Sequence, residues 1–404
     1  MPILIRANIA HIYHKLALLL DNANRFNENK ITKNKNICIS SDYQNEKLIF
    51  NSHRETEPAQ ISFSATAMFE NTTDNFAIEL CAEQLSDLLI KLKSEDDIEL
   101  EVFIEQKTIK FHVLAKQERD LFTPDFGYYR LEKNTQYEIY FEQLLNSYHY
   151  DFYFGKDTQA ISTTTLTKSD AETLEKIHAF RKDSSSKLRI HAVVLNSSAQ
   201  GLAVYTSYIY SMLSDVPADQ NAHIVLSDES AKALYIIAKR LLISSADNAT
   251  ITFLANSIVF SAFGFNARFN SLPAENTPRK ASIPSFSKHS FIMPVSTLTQ
   301  ALIDVDISKS KINDMISILC TNAEIKLIFF NGKASARFAA KHNSIANSNS
   351  EVMTIQVSRK ILSNAVALFN DNERLVLTGI SEHTHGEIGL SNEQKSKYVL
   401  IPTE

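Results

Sequence analysis

The stretch that decides the fold is residues 222–263, AHIVLSDESAKALYIIAKRLLISSADNATITFLANSIVFSAF. Polar and apolar residues alternate over 223–226, which predicts a half-buried strand. Ser227 can cap a helix after that strand, and Asp228 and Glu229 then lie at the positive end of the helix dipole. Asp247 and Asn248 predict a turn before two further strands. The predicted apolar face of the helix consists of Ala231, Leu234, Ala238, Leu241 and Leu242.

Two other stretches repeat this pattern. They are residues 76–111, FAIELCAEQLSDLLIKLKSEDDIELEVFIEQKTIKF, and residues 352–390, VMTIQVSRKILSNAVALFNDNERLVLTGISEHTHGEIGL. Each has a short strand, a small residue at the cap position (Cys81 or Ser358), an amphipathic helix, a polar turn and a pair of strands. The unit recurs about every third of the chain, which predicts a repeat architecture.

Weaker versions of the unit precede these three. Residues 3–20 have Asn8 as a candidate helix cap, residues 290–306 have Ser296, and residues 137–150 are a shorter version. A generic α+β chain would explain any one segment, but six in the same order favour an α+β fold of three domains. Each domain would be a duplicated strand–helix–strands module, with domains at 1–134, 135–286 and 287–404.

Residues 155–187 do not fit the repeat, because they are long, polar and rich in Ser and Thr. We expect a polar surface insertion in the second domain here. Ser169 and Glu172 have the spacing of a capping box, which predicts a short helix over 170–181.

The composition is that of an ordinary globular chain of 404 residues, 44% hydrophobic and 22% charged. With 8 glycines and no GxGxxG or GxxxxGK[ST] motif, a glycine-rich phosphate loop is excluded. Cys38, Cys81 and Cys320 are widely spaced, which favours a reducing cytosol and no metal cage. No apolar run reaches about 18 residues and no signal-peptide pattern occurs, so we expect a cytoplasmic protein without a membrane partner.

Catalytic sets are not recognisable in this sequence, and we expect no enzyme, no metal and no cofactor. His383 and His385 lie two apart in a turn, which favours exposed histidines over metal ligands. Glu95, Asp96 and Asp97 form an acidic run that a solvated turn explains better than a magnesium site.

Basic residues are distributed over the predicted helices and one loop. Solvated helix faces are the default explanation for the helix cations, because acidic residues nearly balance them. The densest positive cluster is a loop with Arg25, Lys30, Lys33 and Lys35. This loop either contacts phosphates or is an ordinary solvated loop. The net charge of −5, taken alone, argues against a nucleic-acid binder.

Three segments carry a resemblance to a known family. Residues 188–217, LRIHAVVLNSSAQGLAVYTSYIYSMLSDVP, look like a strand pair ending in a threonine-containing recognition loop. Residues 223–283 continue through strand, helix, two strands and the linker ARFNSLPAENTPRKASIP, and residues 397–402, KYVLIP, are similar to a terminal strand. In this order of segments the chain resembles the bacterial sliding clamp, the beta subunit of DNA polymerase III, with residues 76–126 carrying the likeness in the first domain.

The resemblance implies a three-domain DNA clamp fold in which two copies close head to tail into a homodimeric ring. Helices would line the hole and sheets would form the outside, and double-stranded DNA would be enclosed without being read. An acidic exterior and a mildly basic hole are compatible with a net charge of −5. Partners would be a DNA polymerase catalytic subunit and its clamp loader, bound through short peptide motifs to a non-catalytic processivity factor.

Site residues follow from the resemblance and from the helix cations. The family's positions near DNA match Arg25, Arg189 and His191. Candidates for the wall of the hole are Lys15, Lys91, Lys232, Lys239, Arg240 and Arg359. The partner-peptide cleft is implied at Ala192, Thr206, Tyr208, Ile209, Tyr210, Pro278, Val399, Leu400, Ile401 and Pro402.

The sequence departs from the family at this cleft. After Thr206 the family has an acidic residue, Gly, His, Arg and Leu, whereas this chain has SYIYS, and it ends in Thr403 and Glu404. We therefore expect a divergent clamp with different partner peptides. Two alternatives remain open: a clamp-derived protein-interaction scaffold without DNA tethering, and an enzyme with an unrecognised acidic site.

Overall fold

The elements of the fold are taken from a computed structural model. It describes residues 4–9, 12–24, 36–53, 60–72, 75–92, 97–114, 133–141, 144–145, 159–184, 192–214, 216–218, 220–243, 248–280, 289–304, 315–320, 324–329, 335–339, 341–344, 353–379 and 387–402. The helices in these ranges are α1 (Ile12–Asn24), α2 (Ala82–Lys91), α3 (Lys168–Ser184), α4 (Asp228–Ile243), α5 (Val295–Asp304) and α6 (Arg359–Val366).

Strands make up most of the remaining described residues. The first ten are β1 (Leu4–Ile9), β2 (Asn36–Asp42), β3 (Lys47–His53), β4 (Gln60–Glu70), β5 (Ala77–Cys81), β6 (Asp97–Phe103), β7 (Thr108–Leu114), β8 (Lys133–Tyr140), β9 (Leu144–Leu145) and β10 (Ser162–Leu166). The next eight are β11 (Ala192–Ser198), β12 (Gly201–Tyr205), β13 (Ile209–Ser214), β14 (Ala222–Ser227), β15 (Ala249–Phe253), β16 (Ser257–Ala262), β17 (Phe265–Asn270) and β18 (His289–Pro294). The last eight are β19 (Met315–Cys320), β20 (Glu324–Phe329), β21 (Ser335–Ala339), β22 (Lys341–Ser344), β23 (Met353–Ser358), β24 (Arg374–Gly379), β25 (Glu387–Asn392) and β26 (Lys397–Pro402).

One module accounts for this order. Each of the six described helices follows a strand and is followed by three strands, so the repeating unit is β-α-β-β-β. The fourth strands of the six modules are β4, β8, β13, β17, β21 and β26, and β22 continues the fifth of these. The α+β class and the repeat are therefore confirmed, with one more strand per module than the sequence indicated.

Side-chain capping bonds mark where two helices, α4 and α6, begin. Ser227 Oγ accepts the backbone N–H of Ser230 at 3.1 Å before α4, and Ser358 Oγ accepts that of Ile361 at 3.4 Å before α6. Cys81 is the N-cap of α2 and makes no side-chain cap bond, because a thiol is a weak acceptor. All three cap positions match the prediction.

Two other predicted caps are wrong. Asn8 lies inside β1, and Ser296 is the second residue of α5, which begins at Val295. Strand β1 continues through Asn8 to Ile9, whereas β18 ends at Pro294 and α5 begins directly after it, before Ser296.

The first module of the middle third is β10 and α3, where the sequence predicted a polar insertion at 155–187. That prediction is wrong for the described part, 159–184, because α3 buries Ala171, Leu174, Ile177 and Phe180. The capping pair also lies two residues earlier than predicted: Asp170 accepts the N–H and hydroxyl of Thr167, both at 2.7 Å. Segment 137–150 is not a module, since β8 pairs with β7.

The chain divides into two compact units, the first made of residues 1–160 and 240–270. Its main sheet runs β15-β16-β17-β4-β1-β6-β7-β8, with β2, β3, β5 and β9 joined to it beside β4. Phe50 and Phe63 stack in its core with ring centroids 4.5 Å apart. Where β17 meets β4, Gly264 has φ +74°, and a Cβ there would lie 3.2 Å from the Ser64 carbonyl oxygen, so the close approach requires glycine.

The second unit consists of residues 161–239 and 271–404. It has one nine-stranded sheet, β14-β11-β12-β13-β26-β25-β24-β18-β22, and one four-stranded sheet, β21-β20-β19-β23. Helix α3 packs against α6, and α6 packs against α5. The predicted domain boundaries stay predictions: 134 falls at the start of β8, and 286 lies outside the described residues.

One rule governs how modules of different domains join. Residues 265–268 of β17 pair antiparallel with 60–63 of β4, and residues 397–399 of β26 pair with 209–211 of β13. In both junctions the fourth strand of a second module meets the fourth strand of a first module through their opening residues.

Candidate partner cleft and nucleic-acid interface

Thr206 shapes the turn that leads into β13. Its side chain is 0% exposed, and Oγ1 accepts the backbone N–H of Tyr208 at 3.1 Å and that of Ile209 at 3.0 Å. The N–H of Thr206 donates to the Ile209 carbonyl at 2.8 Å. A buried hydroxyl thus fixes a tight turn, and the turn presents Tyr208 beside β26, where its carbonyl accepts the N–H of Leu400 at 2.8 Å.

Aromatic side chains gather where β13 meets β26. Tyr210 lies opposite Tyr398, and their rings stack at 5.0 Å with 13° between the planes. Tyr208 and Leu400 pack with them. We call Tyr208, Tyr210, Tyr398 and Leu400 the tyrosine patch. Its mixture of flat apolar rings and hydroxyl groups suits a partner segment that buries apolar side chains and also makes hydrogen bonds.

Strand alternation separates the predicted cleft residues of β26 into two faces. Tyr398 and Leu400, at 8% and 7% exposed, form the buried base of the tyrosine patch, whereas Val399 and Ile401, at 1% and 0%, lie on the opposite face of the strand. Ile209, which pairs with Val399, is equally buried. These three residues therefore lie in the core and would contribute no surface to the predicted cleft. Pro402 is the last residue of β26.

Ala192 and Pro278 are not members of the tyrosine patch. Ala192 packs with Val194 and Val225 in a second buried cluster, which Tyr205 and Leu272 cover. Pro278 is half-buried in the segment after a short 3-10 helix, Ala274–Asn276.

Three residues of this region were missed by the sequence analysis. Lys280 Nζ lies 4.2 Å from the centroid of the Tyr210 ring, a cation–π contact on one side of that ring. Tyr398 stacks on Tyr210, and Tyr205 covers the second cluster. The strand period in KYVLIP would have placed Tyr398 on the face of Leu400, but no sequence pattern brings Lys280 to Tyr210.

Burial favours the protonated hydroxyl of three tyrosines in this region. It raises the pKa of Tyr205 and of Tyr210, and it raises the pKa of Tyr398 to about 12, with Tyr210 as a second cause. Because a buried phenolate would lose its hydration, the neutral forms are favoured, and the patch can donate hydrogen bonds at neutral pH.

The predicted helix cations differ in what they contact. Lys239 forms an ion pair with Glu175 of α3, and this hydrogen bond raises the pKa of the Lys239 ammonium. Lys91 Nζ lies 4.8 Å from the centroid of the Tyr137 ring. Burial lowers the pKa of Lys15, and the charge of Asp97 opposes that shift. These contacts reduce what three of the candidates can offer to phosphates.

The remaining candidates divide into exposed cations and residues that the structure does not describe. Lys232 and Arg240 are exposed on α4. Arg359 opens α6 and lines a hollow that Lys176 also lines. Arg25, Arg189 and His191 lie outside the described residues, as do His383, His385, Glu95 and Asp96.

Within the described ranges, no group of three or more His, Cys, Asp or Glu side chains could hold a metal ion. No described helix is long and apolar enough to cross a membrane.

Comparison with known proteins gives a fold and no sequence family. No protein-family model and no curated protein matches this sequence. A sliding clamp (DNA polymerase III subunit beta) from Pseudomonas aeruginosa, bound to griselimycin, is similar at 9% identity and a TM-score of 0.64, with 99% of each chain covered. A putative DNA polymerase III beta subunit from Eubacterium rectale gives 12% and 0.67, and the beta subunit from Thermotoga maritima gives 11% and 0.64, again with 99% of each chain covered. Over 99% of its length, this chain therefore has the fold of the DNA polymerase III beta sliding clamps.

Proposed function

We propose that this chain is a DNA sliding clamp, a non-catalytic processivity factor that encircles duplex DNA as a head-to-tail ring of two chains. The observation that carries the proposal is the six-module fold, similar to beta clamps over 99% of both chains. The ring would hold DNA by enclosure, so sequence readout and a large basic excess are both unnecessary. We propose that it acts in the cytoplasm, where it would tether a polymerase.

Ring closure is supported by the junction rule. The fourth strands that have no junction within the described chain are β8, from a second module, and β21, from a first module. The rule therefore pairs residues 133–136 of one copy with residues 335–338 of the next. Such a contact is heterologous, and it closes into a ring only if the rotation between copies allows it.

Two exposed isoleucines support the same closure. At the β13–β26 junction, the helices of the two joined modules, α3 and α6, pack on one another. The corresponding helices for β8 and β21 are α2 and α5. These carry Ile90 and Ile303, which are 82% and 58% exposed. Burying two such side chains between copies would contribute about 1.5–3 kcal/mol each.

Tethering is supported by the tyrosine patch, which offers a surface of the kind that short peptide segments use. The clamp loader and the polymerase catalytic subunit would both bind here, one after the other.

A second function is favoured by one observation. Three of the predicted cations interact with other groups of the same chain, namely Lys239, Lys91 and Lys15. These interactions reduce the positive charge that the predicted wall of the hole would offer to DNA. A clamp-derived scaffold that binds protein partners without tethering DNA would need no such wall. A chain that remains monomeric at micromolar concentration would support this alternative.

Cross-linking tests the ring. Thr135 lies opposite Ala336 if the β4–β17 register applies, and opposite Ser335 if the β13–β26 register applies. Facing Cα atoms of antiparallel strands are about 4.5–5.5 Å apart, within disulfide range. The double variant T135C/A336C or T135C/S335C should therefore give a covalent dimer on oxidation, with a mass of twice the 45.5 kDa of one chain.

The matched control is Y140C/A336C, which places the first cysteine at the far end of β8 and should stay monomeric on a non-reducing gel. A ladder of larger species in the test variants would indicate open filaments instead of a ring. Absence of any cross-linked dimer in both test variants would contradict the proposed closure.

A further inference from the structure

A hollow of about 320 Å³ lies where α3, α5 and α6 converge in the second unit. Lys176 of α3 and Arg359 of α6 both line it, together with the hydroxyl-bearing residues Thr299 of α5 and Ser363 of α6. Two cations and two hydroxyls around one space form a donor set that matches the oxygens of a phosphodiester. Asp371 also lines the hollow and leaves it with a net positive charge.

The floor of the hollow is apolar, which changes what its cations can do. Leu302 and Val366 are buried there, so the field of the charges is screened less than on an open helix face. Arg359 is one of the helix cations predicted to face DNA, and it shares this hollow with a second cation, Lys176.

We infer that this hollow is a phosphate-contact site for the DNA backbone, with Lys176 and Arg359 as its charged donors. The inference rests on the proposed clamp function and adds a site residue, Lys176, on a helix that the sequence analysis took for part of an insertion. Arg359 would make the directional contact through its planar guanidinium, and Lys176 would supply a mobile point charge.

Salt dependence of DNA binding measures such contacts one by one. Each phosphate contact contributes about 0.9 to the slope of log affinity against log salt concentration. The probe is a short fluorescein-labelled linear duplex of arbitrary sequence, titrated with the full chain at several NaCl concentrations. Lys176→Gln and Arg359→Gln should each reduce the slope by about 0.9. The affinity ratio of wild type to variant should therefore shrink about 3.5-fold between 50 and 200 mM NaCl.

Lys360→Gln is the matched control, because it removes the same charge from the next residue of α6, which is exposed and outside the hollow. Its slope should equal that of the wild type. Equal losses in Arg359→Gln and Lys360→Gln would mean general electrostatic attraction and overturn the site. Light scattering accompanies each variant, and a change of mass in Arg359→Gln would assign the residue to a subunit contact and also overturn it.

Free phosphate is the other source of the same chemistry. A contrary result would be that inorganic phosphate raises the melting temperature of the wild type but not that of Lys176→Gln, while the salt slopes of DNA binding are unchanged. That result would make the hollow a small-anion site and contradict the inference. If the wild type binds the duplex and both variants keep the wild-type salt slope, the phosphate site is refuted but the clamp function is not. Wild-type protein that fails to contact DNA even at low salt refutes both.

Discussion

Replacing Thr206 by valine removes one hydroxyl from the turn between β12 and β13 while it keeps the shape of the side chain. Two backbone N–H groups, of Tyr208 and Ile209, lose the acceptor that they reach at 3.1 and 3.0 Å. A buried donor left without a partner costs about 1–3 kcal/mol. Because Ile209 is buried and Tyr208 is only half-buried, we expect T206V to lower the free energy of unfolding by about 2 kcal/mol.

T206S is the matched control, since it keeps the hydroxyl and loses one buried methyl group. That loss costs about 0.8 kcal/mol in transfer free energy, so T206S should be more stable than T206V. If packing alone held the turn, the order would reverse, because valine buries more apolar surface than serine.

Urea unfolding of the two variants measures this difference. The chain has 14 Tyr and no Trp, so circular dichroism or tyrosine fluorescence reports the transition. T206V should have a lower midpoint than T206S with an unchanged slope. A T206V midpoint equal to that of the wild type, with T206S below both, would refute the role assigned to the hydroxyl.

The remaining predictions concern β26 and the exposed isoleucines. Ile401→Ala should lower the free energy of unfolding by about 2–5 kcal/mol, because it opens a cavity in the core. Tyr210→Ala should mainly weaken the binding of a polymerase-tail peptide to the tyrosine patch. Calorimetry of both variants against the same peptide separates the two effects. Raising the pH from 10 to 12 should reduce the stability of the second unit, because the pKa of Tyr398 in the folded protein is about 12 and the unfolded chain loses that proton first. Tyr398→Phe should flatten this part of the profile of stability against pH. An unchanged profile in this variant would contradict the assignment. Ile303→Asp should shift the solution mass toward one chain and Ile90→Asp should do the same, and light scattering that finds the wild-type mass in both would place these side chains outside the subunit contact.

Local signals predicted the modules that are built locally. In 222–263 the cap at Ser227, the acidic first turn and the apolar period of α4 all agree, and the structure confirms them. The period of α3 was also present in the sequence, at Ala171, Leu174, Ile177 and Phe180. Its polar surroundings favoured a surface insertion instead, because the sequence does not show that α6 packs against this helix.

Contacts between distant segments could not be predicted in the same way. The sequence pattern KYVLIP predicts a strand, but which of its faces meets Tyr208 and Tyr210 depends on the pairing of β26 with β13. Likewise, the sequence does not show that Lys239 forms an ion pair with Glu175, because the two residues lie on different helices. Register and side-chain partners are set by tertiary packing. The candidate residues taken from the resemblance therefore included core residues such as Ile401 together with surface residues such as Tyr210.

Retention on DNA of different topology tests the central claim most directly. Labelled protein is assembled with its loader on a nicked circular duplex, separated from free protein by gel filtration, and followed after a single-site nuclease opens the circle. Enclosure without sequence readout predicts that the protein stays on the intact circle and leaves after linearisation. Equal retention on the circle and on the linear product would contradict the account, because a protein held by contacts alone has no reason to leave when an end is made.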